Sequence, residues 1–199
     1  RKAHRDFLNR YYGISRWFYD LTRRYYLFGR DELLEQLVDE TWRRLVEVGS
    51  GTGRNLAWLQ QRRPEALLGG VDACDAMLEF ARRRCDGVTF EHGFAEDADL
   101  SDVVYGTPDR ILFSYCLSMV SSARSALEHA RHNLSSNGQV VVVDFGDFKG
   151  FPTPLRWMMN TWLSWFHVHP LDESYLRRRA DEVIYGPGRY YVIARFAPR

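Results

Sequence analysis

The feature that most constrains the fold is a glycine-rich turn that joins an apolar run to a helical segment. Residues 45–48 are followed by Gly49, Gly51 and Gly53 at alternate positions, and a helical pattern begins at Arg54. Glycine reaches the positive-φ conformations that a tight strand-to-helix turn requires, and side chains at these positions would block a ligand. The backbone N–H groups at the start of the following helix favour an anionic group. The turn therefore predicts an α/β fold with a ligand at the turn.

The glycine spacing argues against a dinucleotide and favours a nucleoside. A dinucleotide fingerprint has the pattern G-x-G-x-x-G, whereas the third glycine here falls one place early, at Gly53. A second apolar run ends in Asp72, 19 residues later, where an acid can hold a ribose diol or cap the next helix. Glu47 stands in an apolar strand, where an acid is costly to bury unless a cationic or hydrogen-bonding partner meets it. S-Adenosylmethionine would supply such a partner, because it carries an ammonium and a sulfonium.

Apolar runs alternate with amphipathic segments along the whole chain, which is typical of a parallel sheet covered by helices. The patterns predict helices over 31–42, 54–62, 75–84 and 123–134, and strands over 44–49, 67–72, 88–91, 110–115 and 139–144. Residues 182–185 and 190–196 flank Gly186-Pro187-Gly188 and predict a terminal hairpin. The expected fold class is α/β, with a mainly parallel seven-stranded sheet, an antiparallel C-terminal strand and helices on both faces. We expect one domain over residues 1–199.

The glycine turn, Glu47 and Asp72 together resemble motif I and the second acidic position of the class I S-adenosylmethionine-dependent methyltransferases, which have a Rossmann-like fold. The resemblance implies that S-adenosylmethionine is the cofactor and S-adenosylhomocysteine the product. It also implies the following cofactor-binding residues: Glu47, Gly49, Ser50, Gly51, Gly53, Asp72, Ala73, Met77, Phe94, Ala95, Glu96, Ser114 and Tyr115. Met77 and Tyr115 have equally simple interpretations as core residues. Phe94 occupies a position where the family often has an acid, which leaves the adenine contacts open.

Composition and charge exclude several classes of protein. The 199 residues are 45% hydrophobic with a formal charge of +1, so neither disorder nor nucleic-acid binding is expected. Three widely spaced cysteines without a C-x-x-C pair fit a reducing compartment. The longest charge-free run, residues 157–171, is shorter than the ~20 apolar residues that span a bilayer. We expect a cytoplasmic protein that contacts the inner leaflet peripherally, and no metal site.

Two segments outside the generic fold bear on the methyl acceptor. The first runs from Tyr11-Tyr12 through Tyr19-Asp20-Leu21-Thr22-Arg23 to Leu27-Phe28-Gly29-Arg30; the second contains Asp144-Phe145-Gly146-Asp147 and Trp162-Leu163-Ser164-Trp165-Phe166-His167-Val168. With Phe113-Ser114-Tyr115-Cys116-Leu117-Ser118-Met119, they are similar to the N-methyltransferases that make the betaine lipid diacylglyceryl-N,N,N-trimethylhomoserine. The similarity covers nearly the whole chain. It implies that three methyl groups are transferred to the amino group of diacylglycerylhomoserine, and that the enzyme supplying this lipid is a functional partner.

The resemblance also suggests residues for the acceptor. Aromatic faces attract a methylated ammonium, and a guanidinium can pair with the homoserine carboxylate. The substrate-binding candidates are Tyr11, Tyr12, Tyr25, Arg24 and Arg30, and the catalytic candidates are Tyr19 and His167. For each aromatic residue of the arm 1–30, packing on the core is an alternative.

Residues 151–180 form a candidate substrate- or membrane-facing insertion. The stretch 151–166 is too apolar for an ordinary surface helix, and its tryptophans beside Arg156 suit the boundary of a lipid headgroup layer. A buried packing helix or a dimer contact would explain the same composition.

Four alternative functions stay open at this stage. A phosphatidylethanolamine N-methyltransferase would share the chemistry, and a small-molecule methyltransferase would need no lipid. A module that binds S-adenosylmethionine without activity and a Rossmann oxidoreductase are the other two.

Overall fold

A computed structural model describes residues 27–199 of the chain. Its helices are α1 (Arg30–Asp39), α2 (Arg54–Arg62), α3 (Asp75–Arg84), α4 (Ala123–His132), α5 (Thr153–Trp165) and α6 (Glu173–Arg179). Its strands are β1 (Arg44–Val48), β2 (Leu67–Asp72), β3 (Thr89–His92), β4 (Arg110–Ser114), β5 (Gln139–Phe145), β6 (Glu182–Tyr185) and β7 (Tyr191–Phe196). Of the arm 1–30, residues 1–26 lie outside the described part, and with them Tyr11, Tyr12, Tyr19, Arg24 and Tyr25.

The seven strands form one sheet in the order β3-β2-β1-β4-β5-β7-β6. Strands β1 to β5 pair in parallel, while β7 runs antiparallel to both β5 and β6. The predicted fold class is therefore confirmed. The order reverses at β1, where β2 lies on one side and β4 on the other, and ligands of open α/β sheets bind at the carboxyl ends of the strands beside such a reversal.

Alternate residues of each central strand enter two separate apolar cores. In β1, Leu45 contributes to the core beneath α1, α2 and α3, whereas Val46 and Val48 contribute to the core beneath α4 and α6. Because side chains alternate along a strand, Glu47 shares the face of Leu45 and points toward the α2 side of the sheet. The alternation of side chains along β1 therefore places the buried acid next to α2.

Several element boundaries differ from the sequence prediction by a few residues. Helix α1 ends at Asp39 rather than at Trp42, because Glu40 is extended and the Trp42 indole N–H turns back to the Leu37 carbonyl at 2.7 Å. The Trp42 ring also lies under the Arg63 guanidinium. β4 stops at Ser114, since Tyr115 has a φ of +53° and cannot continue a strand.

The insertion 151–180 consists of α5, α6 and the loop between them. Only Leu163 of α5 is buried, so the interpretation of this segment as a buried packing helix is wrong. Within residues 27–199, none of the helices has the length and apolar character required to traverse a bilayer.

Candidate active site

The glycine turn lies at the carboxyl ends of the two central strands. β1 ends at Val48, and the N–H groups of Gly49 and Ser50 both donate to the Val71 carbonyl of β2, at 2.8 and 3.1 Å. Gly49, Gly51 and Gly53 have φ values of +73°, +53° and +71°. Residues with side chains rarely adopt this conformation, so the turn requires the three alternate glycines that the sequence supplies.

The three glycines meet different surroundings, which corrects the expectation that each one makes room for a ligand. A Cβ atom at Gly49 would overlap the Cys116 side chain, and one at Gly53 would be 3.0 Å from the Cβ atom of Ala81. A Cβ atom at Gly51 would meet no atom within 4 Å. Gly49 and Gly53 therefore allow the protein to pack against itself, and only Gly51 faces open space.

Glu47 is the most unusual residue of the site because its carboxyl group is buried. It is 1% exposed, and its Oε1 atom accepts a hydrogen bond of 2.7 Å from the Asn55 side-chain amide on the first turn of α2. Within residues 27–199, its Oε2 atom has no hydrogen-bond partner. Burial raises the pKa of Glu47 to about 8, against the opposing effect of the Asn55 hydrogen bond. A carboxyl group in this condition is matched to a ligand that brings a positive charge.

Arg30, the first residue of α1, lines the same cleft as Glu47. Its guanidinium is 5% exposed, its Nε atom donates to the Asp31 carboxylate at 3.0 Å, and its charge lowers the pKa of Glu47. The cleft thus contains a buried acid and a buried guanidinium, a pair suited to the two charges of an amino acid.

An open cleft of about 450 Å³ surrounds these groups. It is lined by Leu27, Arg30, Glu47, Gly49, Ser50, Gly51, Thr52, Arg54, Asn55 and Ser114. Five predicted cofactor-binding residues are in this set, and so is Arg30, which was predicted for the acceptor. Like the Oε2 atom of Glu47, the Ser50 hydroxyl is buried and has no hydrogen-bond partner in the part of the chain that the structure describes. Two such buried polar atoms at one cleft indicate a polar ligand.

Asp72 stands at the end of β2 with both carboxylate oxygens anchored. The Gly51 N–H donates to one oxygen and the Cys74 N–H to the other, each at 2.8 Å. The bond to Cys74 closes the turn that precedes α3, whose N-cap residue is Cys74, so Asp72 holds that turn and does not cap the helix itself. Its role toward a ribose stays a prediction. The bond to Gly51 ties the acid to the middle of the glycine turn, so it fixes the turn and the Asp72 carboxylate relative to each other.

The residues predicted to enclose the adenine follow β2 and β3. The Ala73 carbonyl oxygen lies 3.1 Å from Nε2 of the His92 ring, where it accepts a hydrogen bond when that nitrogen carries the proton, and Met77 is buried on α3. Phe94 packs edge-on against His92, and Glu96 is partly exposed. Ala95 is buried in the core on the α4 side of the sheet. These residues follow neighbouring strand ends, and their contacts with adenine stay predictions.

Tyr115 and His167 lie outside the cleft lining. Tyr115 is 1% exposed, its hydroxyl donates to the Phe28 carbonyl at 2.5 Å, and its ring packs on Phe145, which supports the core interpretation. His167 follows α5 in an exposed position with a φ of +55°. Its catalytic role stays a prediction.

Sequence reasoning missed two neighbours of the buried acid. Asn55 is the second residue of α2 and comes eight positions after Glu47, so the tight turn brings the two together. That short spacing around a glycine turn was the available signal. Arg30 gave no such signal, because 17 positions and a whole helix separate it from Glu47.

Comparison with known proteins places the chain in a family. A family model described as a methyltransferase domain matches residues 19–183, which is most of the chain. A demethylmenaquinone methyltransferase of Thermus thermophilus is 27% identical over 133 residues, covering 64% of this chain and 60% of the relative. A trans-aconitate 2-methyltransferase of Acidovorax sp. is 32% identical over 111 residues, covering 56% and 42%. The chain thus spans less than two thirds of the length of either relative.

A solved structure shares the fold over its full length. It is a methyltransferase from Thermotoga maritima, described as S-adenosylmethionine-dependent and as a possible histamine N-methyltransferase, with a TM-score of 0.68, 21% identity, and coverage of 98% and 97% of the two chains. The chain belongs to the methyltransferase-domain family. It is an S-adenosylmethionine-dependent methyltransferase domain with a Rossmann-like fold.

The described residues fit this cofactor. The cofactor carries an amino-acid ammonium and carboxylate, and the cleft has the buried Glu47 and Arg30 side chains. The turn leaves open space above Gly51, where a side chain would otherwise stand.

Proposed function

We propose that this chain is an N-methyltransferase that transfers methyl groups to the amino group of diacylglycerylhomoserine, giving the betaine lipid diacylglyceryl-N,N,N-trimethylhomoserine. The observation that carries the proposal is the position of the apolar segment 151–170. It follows β5 at the carboxyl edge of the sheet, and the His169 N–H donates to the Ser118 carbonyl beside the end of β4 at 2.8 Å. The apolar segment therefore borders the edge that holds the cleft, where a lipid acceptor would have to arrive.

The residues of the cleft divide into three roles for the donor. S-Adenosylmethionine, when bound, supplies an electrophilic methyl group. Glu47 would hold the donor's ammonium, and Asp72 its ribose hydroxyls. We assign Arg30 to the donor's carboxylate, in place of the homoserine carboxylate, because it lines the cleft with Glu47.

Catalysis at such a site rests mainly on positioning. Holding two reactants in line lowers the barrier by up to ~7 to 11 kcal/mol in well-oriented cases. The residues that do this for the donor are themselves fixed: Asn55 holds Glu47, and Gly51 and Cys74 hold Asp72. The acceptor amine must lose its proton before it can attack the methyl group, and His167 is our candidate for the base that accepts this proton.

A transfer assay with labelled donor tests the acceptor. Purified chain is mixed with S-adenosylmethionine carrying a labelled methyl group and with mixed micelles of diacylglycerylhomoserine or phosphatidylethanolamine, and the lipids are separated by thin-layer chromatography. We expect label in a phosphorus-free lipid that migrates as the mono-, di- and trimethylated products. Label in the phosphorus-containing lipid alone would overturn the proposal in favour of a phosphatidylethanolamine N-methyltransferase.

A small-molecule methyltransferase is the second candidate, and the names of the relatives favour it. Trans-aconitate and histamine appear in the names of proteins with this fold. The same assay with these two water-soluble compounds and no lipid separates the candidates. Turnover of either compound at a rate above that of the micelles would favour the second candidate.

A further inference from the structure

Helix α5 presents an apolar face to solvent, which is unusual for a helix on the outside of a protein. Four large apolar residues of α5 and the phenylalanine that follows it are exposed: Leu155, Trp157, Met158, Trp165 and Phe166. Trp157 and Trp165 are 69% and 75% exposed. The opposite side of the helix packs on the core through Leu163, Met159 and Trp162. The helix is therefore anchored on one side and open on the other.

The three most exposed of these residues form one stripe along the helix. At 100° per residue, Trp157, Met158 and Trp165 fall within about a third of the helix circumference, and Thr161 lies between the two tryptophans. Each of these large apolar side chains is stabilised when it leaves water, so the stripe is a strong driving force for contact.

The charge around the stripe restricts what can cover it. Residues 150–171 contain no acid, and Arg156 is their only permanently charged residue. The flanking carboxylates are Asp147, Asp172 and Glu173. Asp147 and Glu173 are engaged with Lys149 and Arg189, and Asp172 accepts a hydrogen bond from the Ser174 N–H at the start of α6. Within residues 150–171, an anionic surface would thus meet one cation and no carboxylate. Tryptophan beside arginine is also the composition of helices that lie at the lipid headgroup boundary.

The area of the stripe disfavours a second copy of the chain as the occupant. A helix of 13 residues is about 20 Å long and about 10 Å wide, so the face covers on the order of 200 Å² in projection. A stable dimer buries roughly 800 Å² on each partner. A membrane needs no such minimum, because each side chain inserts on its own.

We propose that the exposed face of α5 is a docking surface for an anionic lipid membrane. The inference rests on the proposed function for its purpose, since docking there would bring the carboxyl edge of the sheet to the layer that contains a lipid acceptor. The binding step itself depends only on α5.

Vesicle flotation with the full chain tests the docking. The wild type is compared with the double variant Trp157→Gln/Trp165→Gln on vesicles of phosphatidylcholine with about one third phosphatidylglycerol, a composition within the anionic range that attracts basic segments. We expect the double variant to partition at least about tenfold less. The matched control is Tyr105→Gln, because Tyr105 is 74% exposed and its hydroxyl lies 3.2 Å from that of Thr89 at the start of β3, at the opposite edge of the sheet. It should partition like the wild type.

A charge pair at one position separates a lipid surface from a protein partner. Thr161→Glu and Thr161→Lys both place a good helix former at the centre of the stripe. We expect the glutamate variant to float less than the lysine variant on anionic vesicles, and the difference to shrink when phosphatidylcholine is the only lipid. Equal flotation of the two variants on anionic vesicles would overturn the proposal. So would a lipid-free dimer, seen by sedimentation, that the double tryptophan variant converts to a monomer.

The methyl-transfer readout keeps this inference apart from the proposed function. If the wild type floats through α5 but labels no amine lipid, the docking stands and the proposed function fails. If the double variant loses activity on vesicle-bound acceptor and keeps it on a dispersed short-chain acceptor, both stand. If the double variant floats like the wild type, the docking fails whatever the activity shows.

Discussion

Replacement of Glu47 by glutamine tests the donor site most directly, because the residue is buried and its pKa is raised to about 8 by desolvation. In the unfolded chain the carboxyl group titrates near 4.5. The raised folded pKa means that the protonated form stabilises the ligand-free fold. This contribution is fully present below pH 4.5 and is lost as the pH rises through about 8, and it amounts to at most about 5 kcal/mol.

Glutamine imitates the protonated acid, since it can still accept the Asn55 hydrogen bond and carries no charge. Without donor, we expect Glu47→Gln to match the wild type only near pH 4, and to melt at an increasingly higher temperature than the wild type as the pH rises from 4.5 to about 8. With donor the order should reverse, because only the wild type can place a carboxylate against the ammonium. Breaking a buried ion pair costs about 3 to 5 kcal/mol, and ionising Glu47 at pH 7 offsets about 1.4 kcal/mol of it. The net loss is about 1.6 to 3.6 kcal/mol, or roughly 15- to 450-fold in donor affinity.

Calorimetry in two buffers of different ionisation enthalpy reports the proton directly. At pH 6.5 the donor's amino group is protonated and Glu47 is mostly neutral, so binding to the wild type should release close to one proton. The glutamine variant should release none. Parallel melting profiles of the two proteins from pH 5.5 to 9, or the same proton release from both, would refute this account of Glu47.

Three further changes probe the rest of the cleft. Gly51→Val should weaken donor binding at least about tenfold and lower stability by only about 1 to 2 kcal/mol, the cost of the positive φ. Gly49→Val should lower the melting temperature markedly because its side chain meets Cys116, and the reverse order of the two melting temperatures would contradict the assignment. Asp72→Asn should weaken both S-adenosylmethionine and methylthioadenosine, which lacks the amino-acid part, by about 1 to 3 kcal/mol in titrations, and an effect on the first ligand alone would exclude a ribose role. Arg30→Gln should weaken S-adenosylmethionine about tenfold and leave methylthioadenosine unchanged; a raised acceptor KM with unchanged donor affinity would return Arg30 to the acceptor.

Local patterns in the sequence were sufficient to predict the sheet and the position of the donor turn. Each strand is an apolar run that ends in glycine, acid or serine, and those ends meet at one edge because the strands are parallel. Glu47, Gly51 and Asp72 are within 26 residues of each other, so one strand-turn-helix-strand unit brings them together. The hairpin of β6 and β7 followed from its glycines and proline in the same way.

The remaining features depend on contacts between distant segments and carry no local pattern. The need for glycine at positions 49 and 53 follows only from how β4 and α3 approach the turn, because Cys116 and Ala81 leave no room there for a side chain. The burial of Arg30 depends on the packing of α1 over the cleft. Helix α1 ended early because Trp42 bonds back to Leu37, a tertiary contact that overrides the helical periodicity through residue 42.

The groups that we assign to the donor and the segment that we assign to the acceptor lie in different parts of the sequence. The donor groups come from α1 and one continuous unit, residues 47–72. The proposed acceptor segment, residues 151–170, begins about 80 positions later and contacts the carboxyl edge of the sheet through the His169–Ser118 bond. Substitutions on α5 leave the contacts of Glu47 and Asp72 untouched. Acceptor choice can therefore change by replacing that segment while donor binding is kept, so exchange of residues 151–170 should alter the acceptor and leave the donor affinity unchanged.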